Sequence, residues 1–416
     1  SITQEEADGP EYRMWNLNLW DVARRIKEAQ VDPIKSAQLP KELKDLELNI
    51  PEYAQDLKLG VRHISTYIKG LELVLKAQGK TDAQIAQTKS NLKFVITLNM
   101  QIFDDVASDL INNNFFGLNP ANVMLILNDL ANGFVFENGK LVLSTEPKHL
   151  TNYNHGFNII NGNTAGFNYV YNSQSNQFEV LANETGFNYL KNRGAATAII
   201  HRMNDLILKS PEEAVDVITL ALWNKLHREQ GVNCLNEVLN NPTGQKGGLA
   251  FTTDAYGIYS FLIEGLAVKS MPVDAKMAKM NKEVAEDLDS GLEGIPYNRL
   301  YTLFDIAALE EALANNGGVL PMSIKHKKGA ISLEIPTGDM TGLVGMNTMM
   351  FMRRNDSLID RGIAPETKHY KKNSASGASI HDFKELKNLP EALEILGHVD
   401  EQLSEVTASL EATLQE

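Results

Sequence analysis

Apolar positions recur along the first third of this chain at helical spacing. Trp15, Leu19, Val22, Ala23 and Ile26 line one face of an amphipathic helix, with Arg24, Arg25, Lys27 and Glu28 elsewhere on it. Leu57, Ile64, Ile68, Leu71 and Leu75 make a second stripe, and Ile85, Leu92, Ile96, Phe103, Val106 and Leu110 a third. Pro33, Pro40, Pro51 and the turn at Gly79 punctuate them, so residues 1–132 are predicted as a helical domain of bundle type.

The pattern changes at Phe134. Asn138-Gly139 lies between two apolar runs, which is the strongest short-range signal for a hairpin. Eleven asparagines follow between residues 150 and 192, and Gly-Phe-Asn recurs at 156–158, 166–168 and 186–188. A period near ten residues with aromatic and β-branched interiors predicts an Asn-rich β-meander insertion over 133–194, since Asn tolerates positive φ at turns. The repeat reads either as a docking or ligand-binding module or as an Asn-biased excursion whose tripeptides recur by chance.

Residues 195–318 read as a second helical domain. Ser210-Pro211 opens a helix that Gly231 stops. Further helices are predicted over 234–240, 254–269, 274–288 and 297–314. Residues 319–382 form a β region with a basic loop, its strands at 319–324, 330–335 and the methionine-rich 340–352. An acidic helical tail occupies 383–416, where Val399, Leu403, Val406, Leu410 and Leu414 make a seam that fits another helix or an apolar surface. The fold class that follows is α+β, predominantly α-helical, with helical bundle regions and two small antiparallel β insertions.

Composition narrows the function. The chain of 416 residues carries a net charge of −14, which excludes a surface that grips nucleic acid or anionic membrane throughout. Its single cysteine, Cys234, excludes an intramolecular disulfide and a cysteine-rich metal site. The first residues are acidic and polar, unlike a signal peptide, so synthesis in the cytoplasm without membrane insertion is expected. The final location, a virion or a host cell among the alternatives, stays open. No H-E-x-x-H, phosphate loop or dinucleotide fingerprint is present, so no metal and no cofactor is expected.

Cys234 is the candidate nucleophile. The predicted amino end of a short helix would favour its thiolate, and His326, His369 and His381 are downstream candidates for its base. Asn233-Cys234-Leu235 resembles the nucleophile segment of ovarian-tumour-type cysteine proteases over these three residues, with Gly231-Val232 where that family carries Asp-Gly.

Charge is segregated. Nine Lys/Arg face five acids between residues 321 and 373, while two lysines face eight acids from 383 to 416. Lys325, Lys327, Lys328, Arg353, Arg354, Lys371 and Lys372 are therefore candidate contact residues for an anionic partner or for another protein chain, self or heterologous. Nucleic acid is the weaker partner, because Tyr370 alone interleaves the lysines. Two readings of function follow. One is a structural or interaction protein, a component of an assembly such as a virion or secretion-related particle, supported by the methionine run, the tail seam and the repeat. The other is a cysteine-dependent hydrolase or transferase of the secreted-effector kind.

Overall fold

A computed structural model of the chain describes residues 15–16, 27–28, 30–38, 58–151, 155–200, 214–239, 248–252, 260–264, 297–327 and 329–351. Helices α1 (Leu59–Ala77) and α2 (Asp82–Asn91) lead into strand β1 (Phe94–Leu98), helix α3 (Phe103–Asn112) and strand β2 (Val123–Leu127). Four short strands come next, β3 (Ala131–Asn132), β4 (Phe134–Glu137), β5 (Lys140–Leu143) and β6 (Leu150–Thr151). Helix α4 (Phe157–Gly162), strands β7 (Asn168–Asn172) and β8 (Gln177–Val180), helix α5 (Gly186–Asn192) and strand β9 (Thr197–Ile200) follow. The second half holds helix α6 (Val217–Gln230), strands β10 (Cys234–Leu239), β11 (Gly248–Thr252), β12 (Ser260–Glu264) and β13 (Tyr297–Asp305), and helix α7 (Ile306–Asn315). Strands β14 (Ser323–Lys327), β15 (Ala330–Glu334) and β16 (Thr348–Phe351) complete it.

Three multi-stranded sheets organise these elements. The first runs β1-β2-β7-β8, with β1 and β2 parallel and the other pairs antiparallel. The second runs β12-β11-β13-β10-β16, with β9 also on β13 and β10 parallel to β16. The third is antiparallel, β14-β15-β4-β5. The chain is thus mixed α/β, and the expectation of a predominantly helical bundle with two small β insertions is corrected.

The physical reason lies in burial. Strand β2, Val-Met-Leu-Ile-Leu, is covered on both faces, with Val123, Met124 and Leu125 fully buried. A strand buried on both sides loses its alternation and cannot be told from a helix by periodicity. The third stripe ran straight through β1, where Leu92 and Ile96 happen to lie four residues apart. Helix is also predicted where other strands stand: β9 within returning helix, β10 as a short helix, β12 within the apolar span 254–269, and β13 as the start of a helix that begins only at Ile306.

Local signals that depend on a turn or a cap are met. Asn138 and Gly139 have φ of 51° and 76°, the twin positive values of a tight hairpin turn between β4 and β5. Thr81 and Gln84 close a reciprocal capping box at α2. Gly231 ends α6 in the left-handed conformation, φ 66°, although the helix begins at Asp216, whose carboxylate accepts from Thr219 N. The Asn-rich meander is not a repeat. Its three Gly-Phe-Asn copies fall on the start of α4, the turn entering β7 and the start of α5.

Among the described residues, two of the hydrophobic clusters hold helices against the sheets. Ile64, Ile68, Val106, Leu110, Val123 and Leu125 pack α1 and α3 on the first sheet together with Trp15, whose indole donates to Asp109 at 2.8 Å. Here the chain is strained: Asn114, Phe115 and Phe116 have φ of 45°, 52° and 55° before Gly117. Phe115 is buried and its ring is held edge-on by Tyr171 at 4.8 Å, so packing sustains a conformation that L-residues avoid. The second core joins Cys234, Phe304, Leu309, Leu313 and Met340 with Ile159 and Phe187 of α4 and α5. The predicted stripe from Trp15 to Ile26, the span 274–288, the loop after Asn355 and the acidic tail lie outside the described residues, save Trp15 itself.

Candidate functional site

The sequence repeats one local pattern twice: a five-residue apolar strand followed by asparagine, Phe94-Val-Ile-Thr-Leu-Asn99 and Val123-Met-Leu-Ile-Leu-Asn128. Parallel pairing of β1 and β2 in register, Leu98 opposite Leu127, brings the two asparagines side by side beyond the carboxyl ends of the strands. The Asn128 amide N–H donates to the Leu98 carbonyl at 2.7 Å and fixes the juxtaposition. Just beyond, Asp129 Oδ1 accepts from the backbone N–H groups of Met100 (3.4 Å) and Leu130 (2.9 Å), which stitches the two strand ends together. Ligands of open α/β sheets gather outside the carboxyl ends of parallel strands, and β1 and β2 present such an end here, although the order β1-β2-β7-β8 does not reverse at it.

Helix α4 adds the second wall. Asn158, from its first turn, accepts through Oδ1 from Asn128 Nδ2 at 2.5 Å. The helix is held over the edge by Asn161, which donates to the Leu127 carbonyl at 2.6 Å, and by Asn168, which donates to the carbonyls of Asn161 and Thr164 at 3.0 and 2.7 Å. The third wall is the segment after β15. Gly156 N donates to the Ile335 carbonyl at 2.7 Å, and the chains are so close that a Cβ on Gly156 would stand 2.5 Å from the Pro336 carbonyl carbon.

His155 sits at this junction. Its Nδ1 accepts from the backbone N–H of Thr337 at 3.0 Å and lies 2.8 Å from the Thr337 hydroxyl. A backbone N–H can only donate, so Nδ1 carries no proton and the neutral ring is protonated on Nε2. Asn99, Asn128, His155 and Asn158 are half-buried and Thr337 is buried, giving an edge of amides and one neutral imidazole. Asn99 Oδ1 is buried and has no hydrogen-bond partner among the described residues.

None of the residues singled out from the sequence belongs to this edge. Cys234 is fully buried at the start of β10, opposite Phe304 and Thr348, rather than at a helix amino terminus. Burial pushes its thiol up to about 12, with a hydrogen bond from Thr348 opposing the rise only in part. That is the reverse of an activated nucleophile. His326 is exposed on β14 in a different sheet, and His369 and His381 lie outside the described residues. The cysteine-hydrolase reading is corrected accordingly, and with it the three-residue likeness to ovarian-tumour-type proteases. Lys325 and Lys327 fall on β14, while Lys328, Arg353, Arg354, Lys371 and Lys372 are outside the described residues.

The features that suggested a structural component also have internal explanations. Met340 is fully buried in the second core, and the half-buried Met349 packs from β16 beside Leu235 and Leu303, so these two members of the methionine run have internal partners. Among the described residues no helix is long and apolar enough to cross a membrane.

No protein-family model matches the sequence, and no curated protein matches it. Among solved structures, the chain is similar to the uridine diphosphate N-acetylglucosamine pyrophosphorylase of Trypanosoma brucei (12% identity, TM-score 0.49, covering 81% of this chain and 64% of that one). It is also similar to a putative UDP-N-acetylglucosamine pyrophosphorylase of Entamoeba histolytica (11%, 0.47, 74% and 68%). A third is the UDP-glucose phosphorylase of Trypanosoma brucei (13%, 0.43, 71% and 56%), of which this chain spans little more than half the length. These proteins are named as enzymes, and the reading as a virion or secretion-related structural component is corrected. At such identities and TM-scores the likeness carries no argument about substrate or residue role, which rests on the site itself.

Proposed function

We propose that this chain binds a small, neutral, hydrogen-bonding ligand of nucleoside or sugar type at the carboxyl edge of β1 and β2. The observation that supports it is the convergence of Asn99, Asn128 and Asn158 on that edge from three separate segments. A carboxamide offers a donor and an acceptor side by side, which matches the imide edge of a pyrimidine or the vicinal hydroxyls of a sugar. The neutral His155 adds directional hydrogen bonding without charge. A site built for phosphate would instead present Lys, Arg or a nest of backbone N–H groups.

Calorimetric titration with uridine, glucose, UDP-glucose and UDP-N-acetylglucosamine tests this, the last two being molecules named with the similar solved structures. The expected result is saturable binding of at least one of them, weakened about tenfold by Asn99→Ala or Asn158→Ala, the loss of one partly buried hydrogen bond. Absence of binding at millimolar ligand, or binding indifferent to both substitutions, would overturn the proposal.

A further inference from the structure

Strands β4 and β5 are apolar at every position from Phe134 to Phe136 and from Leu141 to Leu143. An antiparallel strand with one face in water alternates apolar and polar positions, and a strand covered on both faces does not. Among the described residues, only one face of the sheet that holds this hairpin is covered. The register separates the sides of β14-β15-β4-β5: Phe134 pairs with Leu143 and Ile331, Phe136 with Leu141, Ile331 with His326, and Leu333 with Ile324, so these eight positions share a face. On it Phe136 is 69% exposed, Ile324 62%, Leu143 56% and Leu141 50%. The opposite side holds Ala330, Ser332 and Glu334, all buried. An apolar patch of this extent on a soluble surface marks an interaction site.

We propose that this face is the interface of a two-fold dimer, covered by a second copy of the same chain. Two observations select that occupant. The first is chemical. Seven of the eight positions are apolar, the eighth is His326 on the edge strand β14, and none is Lys, Arg, Asp or Glu. Such a face offers nothing to the charges of nucleic acid, an anionic membrane or a charged peptide, whereas it meets a face identical to itself without like-charge repulsion. The second is area. The four most exposed apolar residues, with the half-buried Phe134, Ile331 and Leu333 and the exposed His326, present about 600 Å² per copy if a large residue carries roughly 170 to 200 Å². A pair would bury about 1,200 Å², which is where stable specific interfaces begin and above the size of incidental contacts. Antiparallel sheets stack face to face at roughly 10 Å with their strands within about 30° of each other. Each copy thus supplies the layer that the other lacks, and the assembly closes at two because the same patch serves both sides.

Sedimentation velocity of the full chain, from about one to a few hundred micromolar, tests the dimer. The native chain is expected to sediment as a dimer at the upper end. Phe136→Asp and, separately, Ile324→Asp are expected to weaken association at least a hundredfold, roughly, because the two-fold puts the new charge into the interface twice. Val344→Asp, at a 74% exposed position outside the sheets, is expected to leave association unchanged. Circular dichroism checks that each variant is folded, and since Phe136 and Ile324 lie on different strands, either variant is decisive if the other fails to fold. Amide exchange of β4 and β5 in the native chain, expected to slow as concentration rises, needs no variant at all. A native chain that stays monomeric throughout the range overturns the proposal, as does a dimer that both face variants leave intact. A monomer that floats with phosphatidylcholine vesicles, and no longer does so as Phe136→Asp, overturns it in favour of a lipid surface.

Discussion

Alkaline titration of the buried thiol offers a quantitative check on the second core. Cys234 is fully buried, and its thiol is pushed up from an ordinary value of 9.0 to about 12. The sign follows from linkage. Below the unfolded value the thiol is protonated in both states and costs nothing. Above it, the unfolded chain ionises while the folded chain stays protonated, so stability falls as pH rises towards the folded value. Each pH unit in that window is worth about 1.4 kcal/mol, so the interval from about 9 to about 12 removes on the order of 4 kcal/mol, comparable with much of a domain's total stability. Lysine and tyrosine side chains titrate in the same range, so the measurement is a difference: urea midpoints of the native protein and of Cys234→Ser, recorded from pH 8 to 11. Serine is somewhat smaller, but it keeps a hydrogen-bonding group for Thr348 and does not ionise there, so its constant destabilisation drops out of the pH dependence. The native curve is expected to fall away from the serine curve by about 1.4 kcal/mol per unit above pH 9. Parallel curves would refute the burial argument, as would rapid native-state labelling of the thiol at pH 8.

Three further substitutions read other parts of the structure. Gly156→Ala should destabilise by about 3 kcal/mol or more in urea unfolding, since its methyl group would meet the Pro336 backbone rather than a side chain able to turn aside. Thr81→Ala should cost about 1 kcal/mol by removing the hydroxyl that caps α2, measured as a drop in melting temperature. At Phe115, φ 52° makes glycine the better small residue, so Phe115→Gly should be no less stable than Phe115→Ala, the reverse of the order inside a helix.

Features governed by short-range physics were legible in the sequence. The Asn138-Gly139 turn, the stop at Gly231 and the amphipathic helix through Ile64 and Ile68 each depend on a few neighbouring residues. Strand β2 was illegible, because it is an apolar run whose partners lie tens of residues away and whose two covered sides erase the period of two. Once such runs are taken as helices the sheets vanish from the prediction, and every placement that depends on them shifts. Cys234 illustrates the consequence: the same six residues promise a reactive thiolate at a helix end and deliver an inert one inside a strand.

The candidate site was hidden for a related reason. Single asparagines after apolar runs are unremarkable until parallel pairing aligns them, and the attention drawn by Gly-Phe-Asn fell on its periodicity rather than on its members. Those members serve three different ends. Asn158 bonds Asn128 at the proposed ligand edge, Asn168 ties α4 to the sheet, and Asn188 donates its backbone N–H to the Thr185 cap of α5. Two of the three therefore build or brace one edge, which explains why asparagine is dense there without any structural repeat. A short amide side chain can bridge a strand end and a helix turn without bringing charge into a half-buried crevice. On that argument, replacing Asn168 should loosen α4 and weaken ligand binding indirectly, while replacing Asn99 should weaken it without loosening α4. Exchange rates of the α4 amides, measured beside affinity, separate the two, and equal loosening in both variants would mean that the edge is bracing alone.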